Sequence, residues 1–542
     1  MNSLWWKQWH ENKGCFVLFM SWMMLAVCYC IGYELGYRFR APVGHFSVLA
    51  WFYSMCAAVF LAMRTAKGEQ ADGTLSFTAS LPVTMRRVAT VRVAGAVALL
   101  VTPVLVAAVV LSLALATGLV EQAAPRGGQA VRRLTERDAA SLFTALEQLW
   151  SVAAIAILGG AQYLLLLSLF GCWVRTQARI GLLGAVMGFG SLVASGLFWY
   201  GERRPYLQLA YGAVFPQSLV VHWGFGAEHG GYTDHELTPF RWIALCLAIP
   251  LLVIIARLFV TQYGFLRDSA SATAKPRRFR FITPPLWSHI PVPLPSRWLA
   301  LIWFELRQSL PLVLSGLLLA LLMTVASVVI EPRDEYSTAE LFRADMPHSI
   351  AILGMLWAVV VGSGLYAAEL GSGLGGFWRS RPISSGMWFW CKFVVGLLAV
   401  LGVLDGVTIL ISWDAPRELP TEGMSWAYLA CFPIIHALMY ALSVLGTCWL
   451  RRPVIGGFLA LFGYTVLTIA ITTFPMTDHL EPFNVYNDLL QAERAGQVDF
   501  TQHGYPLVYG VLLASVFLCG LLAFRFAKPL EPIPRWFHLT AA

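Results

Sequence analysis

The sequence predicts an all-α polytopic membrane protein with about 12 crossings, arranged as two parallel repeats of six. Three observations carry this. Of 542 residues, 58% are hydrophobic and 13% charged, whereas a soluble domain carries about a quarter charged. The apolar residues fall in runs long enough to cross a hydrocarbon core of about 30 Å. In lipid such runs must be helices, because each backbone polar group has to be satisfied within its own segment. Finally, a polar stretch between two of these runs occurs twice. A constant offset carries Glu69 onto Glu369, Gly73 onto Gly373, Phe77 onto Phe377, Ser80 onto Ser380 and Pro82 onto Pro382. The pairs Val83 with Ile383, Thr84 with Ser384 and Arg92 with Lys392 are similar. A repeat of this period reorganises the whole fold reading.

The chain opens on Leu4 to Lys13, where Trp5, Trp6 and Trp9 share one helical face with Leu4 while Lys7 and Lys13 stay in water. This predicts an interfacial amphipathic helix before the first crossing. The same offset brings a second such segment, Trp298 to Gln308 with Trp303, and sets Arg307 opposite Lys7. Crossings are expected near Cys15–Glu34, Phe46–Met63, Val91–Leu119, Leu149–Trp173, Ile180–Tyr200 and Trp242–Tyr263. A second set is expected near Leu310–Ile330, Ile350–Tyr366, Trp388–Ile411, Trp426–Leu450, Val454–Phe474 and Leu507–Phe526. The first half is thus 1–263 and the second 296–542. Between them, 264–295 reads as a cytoplasmic linker with Lys275, Arg277, Arg278 and Arg280 and five prolines from Pro284 to Pro295. Proline at this density makes an extended spacer.

Six crossings return each half to its starting side. With both termini cytoplasmic, about 25 of the 38 Lys and Arg fall inside, as the positive-inside rule requires. The short loops Trp173–Arg179 and Trp449–Arg452 occupy the same place in the two halves and are cytoplasmic. On the other side, 132–150 has helical spacing and extends the fourth crossing outward. The aromatic stretch Pro205–Phe225 is either a re-entrant helix pair or a loop resting on the headgroups.

The net charge of +8 sits in short clusters beside apolar runs, with no basic face to receive a nucleic acid. The ten cysteines lie in or beside apolar runs, without CxxC or Cys/His spacing. They read as small apolar residues, not as a disulfide or metal framework. Catalytic motifs are lacking. There is no GxxxxGK[ST], GxSxG or HExxH, so the chain does not hold ATP by a phosphate-cradling loop of its own. No metal ligand set and no enzyme activity are expected. Among intramembrane ionisable residues, which cost about 3 kcal/mol or more at mid-bilayer, Asp405 is the clear case. It is placed in the outer half of its crossing, within reach of water, and His436 is a weaker candidate of the same kind. So few buried charges argue against an ion-driven carrier.

Attention therefore falls on the repeated polar stretch. Lys67 to Arg87 has a charged start, a glycine turn at Gly73, an amphipathic piece with Leu75 and Phe77, and a stop at Pro82. Such a segment forms either a short surface helix that docks a cytoplasmic partner or an ordinary juxtamembrane loop whose arginines meet anionic headgroups.

Glu69, then Asp72-Gly73-Thr74-Leu75, then Ser80-Leu81-Pro82-Val83-Thr84 with Arg86 and Arg87, resembles the signature of type-2 ATP-binding-cassette transporter permeases. The resemblance implies that this stretch is a coupling helix and that the tryptophan-rich starts (Trp5, Trp6 and Lys7; Trp303 and Arg307) are elbow helices. It also implies a hairpin before the sixth crossing, and an exporter whose two fused halves each dock a separate cytoplasmic ATPase subunit. ATP and Mg would then be held by those two partners, with none in this chain. Glu69 and Glu369 would face the ATPase, Gly73 and Gly373 would form the turns, and Pro82 and Pro382 the stops. The second copy departs from the pattern at Ser372, Leu374 and Arg381. The expected setting is the bacterial inner membrane, with membrane lipid around the crossings. The cargo (a small molecule, lipid or polysaccharide) is not legible. The rival readings are an ion-coupled secondary transporter and a non-transporting membrane anchor or assembly subunit.

Overall fold

The computed structural model describes residues 2–36, 42–71, 84–117, 134–174, parts of 180–191, 205–216 and 219, 239–271, 296–330, 337–370, 384–412, 426–451, 453–473, 489 and 505–527. The chain divides into two units, Met1–Pro276 and Arg277–Ala542. The division falls inside the stretch read as the linker. All regular structure among the described residues is helical, and the protein is a multi-pass integral membrane protein.

Unit 1 contains α1 (Asn2–Gly36), α2 (Pro42–Ala71), α3 (Met85–Ala116), α4 (Leu134–Trp173), α5 (Pro205–Val214) and α6 (Pro239–Ser271). Unit 2 contains α7 (Arg297–Ile330), α8 (Thr338–Leu370), α9 (Ser385–Val400), a π-helical turn (Leu401–Asp405), α10 (Gly406–Ser412), α11 (Trp426–Leu450), α12 (Pro453–Thr473) and α13 (Tyr505–Ala527). Among the described residues nine helices are long and apolar enough to cross a membrane, ten if the α8 pair Thr338–Ala351 and Leu353–Tyr366, bent by 46°, counts as one span. The sequence-based count is larger by two. Ile180–Tyr200 falls largely outside the described residues, and α12 holds a shorter apolar run, Ile455–Thr468.

Two boundaries differ from expectation. The elbow segments are not separate helices. α1 runs unbroken from Asn2 to Gly36, and α7 from Arg297 to Ile330. No proline interrupts α1, and its first turns are tied along the axis by the Lys7–Glu11 ion pair at 3.8 Å and by Asn12 Nδ2 donating to the Gln8 carbonyl at 2.8 Å. At the other end of the unit, α6 continues to Ser271, past the expected linker start at 264. The extension of α4 beyond the apolar span is present: the helix starts at Leu134, the span at Leu146.

In each unit the fourth long helix is the one the others wrap. The spans Leu146–Trp173 of α4 and Cys431–Leu450 of α11 are each 78% buried, while the others lie at 67% or below. α4 packs along α2, α3 and α6, and α11 along α8, α12 and α13. Aromatic hydroxyls stitch helices through backbone carbonyls: Tyr53 to Leu100 (3.3 Å) in unit 1, Tyr440 to Phe393 (3.1 Å) in unit 2.

Close approach demands glycine at the α11–α12 crossing. A Cβ on Gly446 would lie 2.7 Å from the Gly456 carbonyl oxygen, and one on Gly456 2.3 Å from the Thr447 nitrogen. Small residues allow this backbone contact, which supplies much of helix association in lipid.

The helix α5 resolves the choice left open for Pro205–Phe225. Its last carbonyls, of Ala213 and Val214, both accept from Nε2 of buried Gln162 at 2.9 Å. Gln162 lies roughly 24 Å along α4 from Leu146 and roughly 17 Å from Trp173. The end of α5 is therefore deep in the span, with Leu219 packed against Ile155 and Leu245 just beyond the turn. A helix end at that depth lacks water for its orphan carbonyls, and Gln162 replaces it. This is what the first helix of a re-entrant pair requires. Residues 217, 218 and 220–225 lie outside the described set.

Gly446→Val is expected to cost about 3 kcal/mol, the upper end for overpacking because the obstructing atoms are backbone. Gly463→Ala, where nothing lies within 4 Å of the added Cβ, is expected to change stability by less than about 0.5 kcal/mol. Thermal unfolding of the detergent-purified variants distinguishes the two.

Candidate functional site

The repeated polar stretch joins the second and third helices of each unit, and both ends of each junction are described. α2 ends at Ala71 and α8 at Leu370, so Glu69 and Glu369 lie in the last helical turn of each. A carboxylate there opposes the helix dipole, at about 0.3–1 kcal/mol, so helix stability does not account for an acid in both places. α3 and α9 then start alike. Thr84 Oγ1 accepts from the Arg87 nitrogen at 3.4 Å, and Ser384 Oγ accepts from the Met387 nitrogen at 3.2 Å. Both caps have extended backbone, with φ −67°, ψ 138° and φ −65°, ψ 145°, which is the N-cap geometry. Thr84 and Ser384 are one of the similar pairs of the sequence repeat.

Arg86 and Arg87 are exposed in the first turn of α3. Asp72, Gly73, Thr74, Leu75 and Pro82, and in the second copy Gly373, Phe377, Arg381 and Pro382, lie outside the described residues.

Immediately after each cap the helix is anchored. In unit 1, Met85 and Ala89 of α3 pack with Leu165, Leu169 and Cys172 of α4 and with Ile255, Phe259 and Tyr263 of α6. In unit 2, Phe389 of α9 meets Tyr366 of α8 and Phe524 of α13, and Phe393 meets Tyr440 of α11. The start of the third helix is thus in side-chain contact with the fourth and last helices of its unit.

One turn deeper each unit buries a cation that the sequence repeat aligns. Arg92 donates to the Thr65 carbonyl and the Tyr263 hydroxyl, both at 3.4 Å. Lys392 lies 3.0 Å from the Glu305 carboxylate, with both side chains at most 1% exposed. Its ammonium also faces the rings of Tyr366 and Trp388, 5.7 and 6.0 Å from the centroids. Glu305 belongs to the second tryptophan-rich start. Around it Trp298 and Arg307 are exposed and Trp303 is half-buried, while in the first copy Trp5 and Trp6 are exposed and Lys7 is half-buried.

Sequence reasoning misses this ion pair because Glu305 falls in the pattern of a surface helix and Lys392 at the end of a crossing. The alignment of Arg92 with Lys392 is the signal that points to it. The expectation of almost no buried charge is therefore corrected: Arg92, Glu305, Lys392 and Asp405 are all buried.

Asp405 is corrected too. It is buried rather than solvent-facing: the residue is 2% exposed, accepting from the Tyr428 hydroxyl at 3.1 Å and facing His436 Nδ1 at 2.9 Å. The two intramembrane candidates, separate in the sequence reading, form one cluster. The ten cysteines are all free thiols, and no group of metal-ligating side chains occurs among the described residues.

Lys392→Met strands the Glu305 carboxylate in an apolar setting and is expected to cost about 3–5 kcal/mol. Adding Glu305→Leu to it should restore most of that loss, read as recovery of the detergent-unfolding midpoint. If the double variant is no more stable than the single one, the pair is not the interaction at stake.

No protein-family model, curated protein or solved structure matches this chain.

Proposed function

We propose that this polytopic membrane protein is the permease subunit of an ATP-driven exporter, with two cytoplasmic ATPase subunits docking on its two polar junctions. The observation that carries the reading is the duplicated junction. Each copy is an acid in the last turn of one long helix, a short polar stretch, and a capped restart of the next helix into a cluster with the fourth and last helices. Such a junction suits a docking knob rigidly joined to the helices it must move.

Closure of the ATPase pair on ATP and Mg would push both stretches and shift each unit between two states. Differential binding of nucleotide to those states would supply the free energy. The chain itself contributes no phosphate-cradling loop. Glu69 and Glu369 meet the partners, with Asp72 and Arg86 beside the first, and the departures at Ser372 and Arg381 make the second dock different in strength or in partner. Apolar, aromatic-rich helices suit a lipid or amphiphilic cargo, taken from the inner membrane with both termini on the cytoplasmic side. The rival reading as an ion-driven carrier draws on the buried Asp405–His436 pair alone.

Affinity purification of the full chain from its native membrane in mild detergent should bring down an ATPase at two subunits per chain. Glu69→Lys should abolish co-purification of at least one of them and with it ATP-dependent transport in vesicles. A chain that purifies alone, or a Glu69→Lys variant that still docks and transports, refutes the reading.

A further inference from the structure

The cluster around Asp405 fixes a proton count. The ring of His436 is fully buried, with Nδ1 at 2.9 and 3.0 Å from the two carboxylate oxygens of Asp405 and Nε2 at 3.3 Å from the carbonyl oxygen of Ala351. A carbonyl and an ionised carboxylate only accept, and a neutral imidazole carries a single N–H. With a neutral ring and an ionised Asp405, one ring lone pair would therefore point at an oxygen. The cluster would also keep an uncompensated negative charge inside hydrocarbon, which is costly.

Two arrangements satisfy all contacts. In one, an imidazolium donates from both nitrogens. In the other, a neutral ring donates from Nε2 while a protonated Asp405 donates to Nδ1. They differ only in where one proton lies, and both are net neutral.

Neighbouring groups do not remove the need for that proton. Tyr428 of α11 donates to Asp405 Oδ1. Cys431 of α11 is engaged with Tyr509 of α13, and Tyr464 of α12 is a phenol. α8 carries Asp345 and His348 ahead of Ala351, while α7 has no titratable side chain after Arg307. On α9, Lys392 is paired with Glu305.

The backbone is shaped to the cluster. Asp405 is the last residue of the π-helical turn, a bulge common at functional sites. Gly354 of α8 leaves the room the ring occupies, since a Cβ there would lie 2.5 Å from His436 Cε1 and Nε2. A buried ion pair is a poor stabiliser compared with apolar packing, and the aligned position of unit 1 is Leu105.

We propose that Asp405 and His436 form a proton-binding site whose occupancy sets the bond between His436 of α11 and the Ala351 carbonyl of α8. When the cluster opens to water and the proton is released, Nδ1–H stays on the carboxylate and a bare Nε2 faces the Ala351 oxygen. That one bond between α11 and α8 is then lost, while Ser443 Oγ still donates to the Val359 carbonyl at 2.7 Å. Proton uptake reverses this. The site is independent of the ATPase docking proposed above.

The test uses the full chain in lipid nanodiscs with ring-15N histidine. The His436 signals are identified by their loss in His436→Gln or, should that variant not fold, by their shift in Tyr428→Phe. At neutral pH we expect one of two results. Either both ring nitrogens are protonated, or Nε2 alone is protonated together with a carboxylic-acid infrared band that Asp405→Asn removes. Asp405→Asn should leave a singly protonated neutral ring. A singly protonated ring beside an ionised Asp405 in the native chain overturns the proposal, as does a native ring state identical to that of Asp405→Asn with no carboxylic-acid band.

Discussion

Hydrocarbon offers no water to a buried polar group, and the placement of the polar side chains in both units follows from that constraint. Gln162 caps the carbonyls of α5 where solvent would otherwise do so. Arg92 is held by a carbonyl and a hydroxyl, Lys392 by a carboxylate and two aromatic faces, and His436 by Asp405 and a carbonyl. All of these contacts except that of Lys392 with Trp388, a neighbour on α9, join different helices. The same groups that would be expensive alone therefore fix which helices lie together, and apolar side chains fill the space between.

The two units solve one problem with different side chains. Both place the fourth long helix at the centre, both start the third helix from a Thr or Ser cap, and both bury a cation near that start. In unit 1 the cation donates to the Thr65 carbonyl and the Tyr263 hydroxyl, and in unit 2 it pairs with Glu305 from the start of α7. The tryptophan-rich start is thus tied into the second unit by charge, and in the first unit Gln8 of that start packs against Gly95. Asp405 and His436 add a further polar tie in unit 2 where unit 1 has leucine at the aligned position.

Most of the architecture was legible because it obeys short-range rules. Apolar runs of sufficient length must be helices in lipid, and Met85–Ala116, Trp426–Leu450 and the extended α4 lie close to where the hydropathy put them. The failures share a cause. The separate elbow helix rested on a change of character from amphipathic to apolar, but such a change does not break a helix when no proline or solvated turn interrupts it, as in Asn2–Gly36. The linker start at 264 failed similarly, since α6 holds its helix for two more turns, to Ser271.

By itself the sequence determined that this protein is a multi-pass helical membrane protein, that a polar junction is repeated, and that Thr84 and Ser384 hold the same place in the two copies. These are properties of composition, run length and local spacing. The tertiary structure decided what the buried charges do. Glu305 and Lys392 are 87 positions apart and Asp405 and His436 are 31 apart, on different helices, so no periodicity along the chain pairs them. It also decided that α5 enters the membrane, because the group that receives its end, Gln162, comes from another helix. In each case the physical reason is the same. A desolvated polar group is acceptable only beside its partner, and the partner is found by packing.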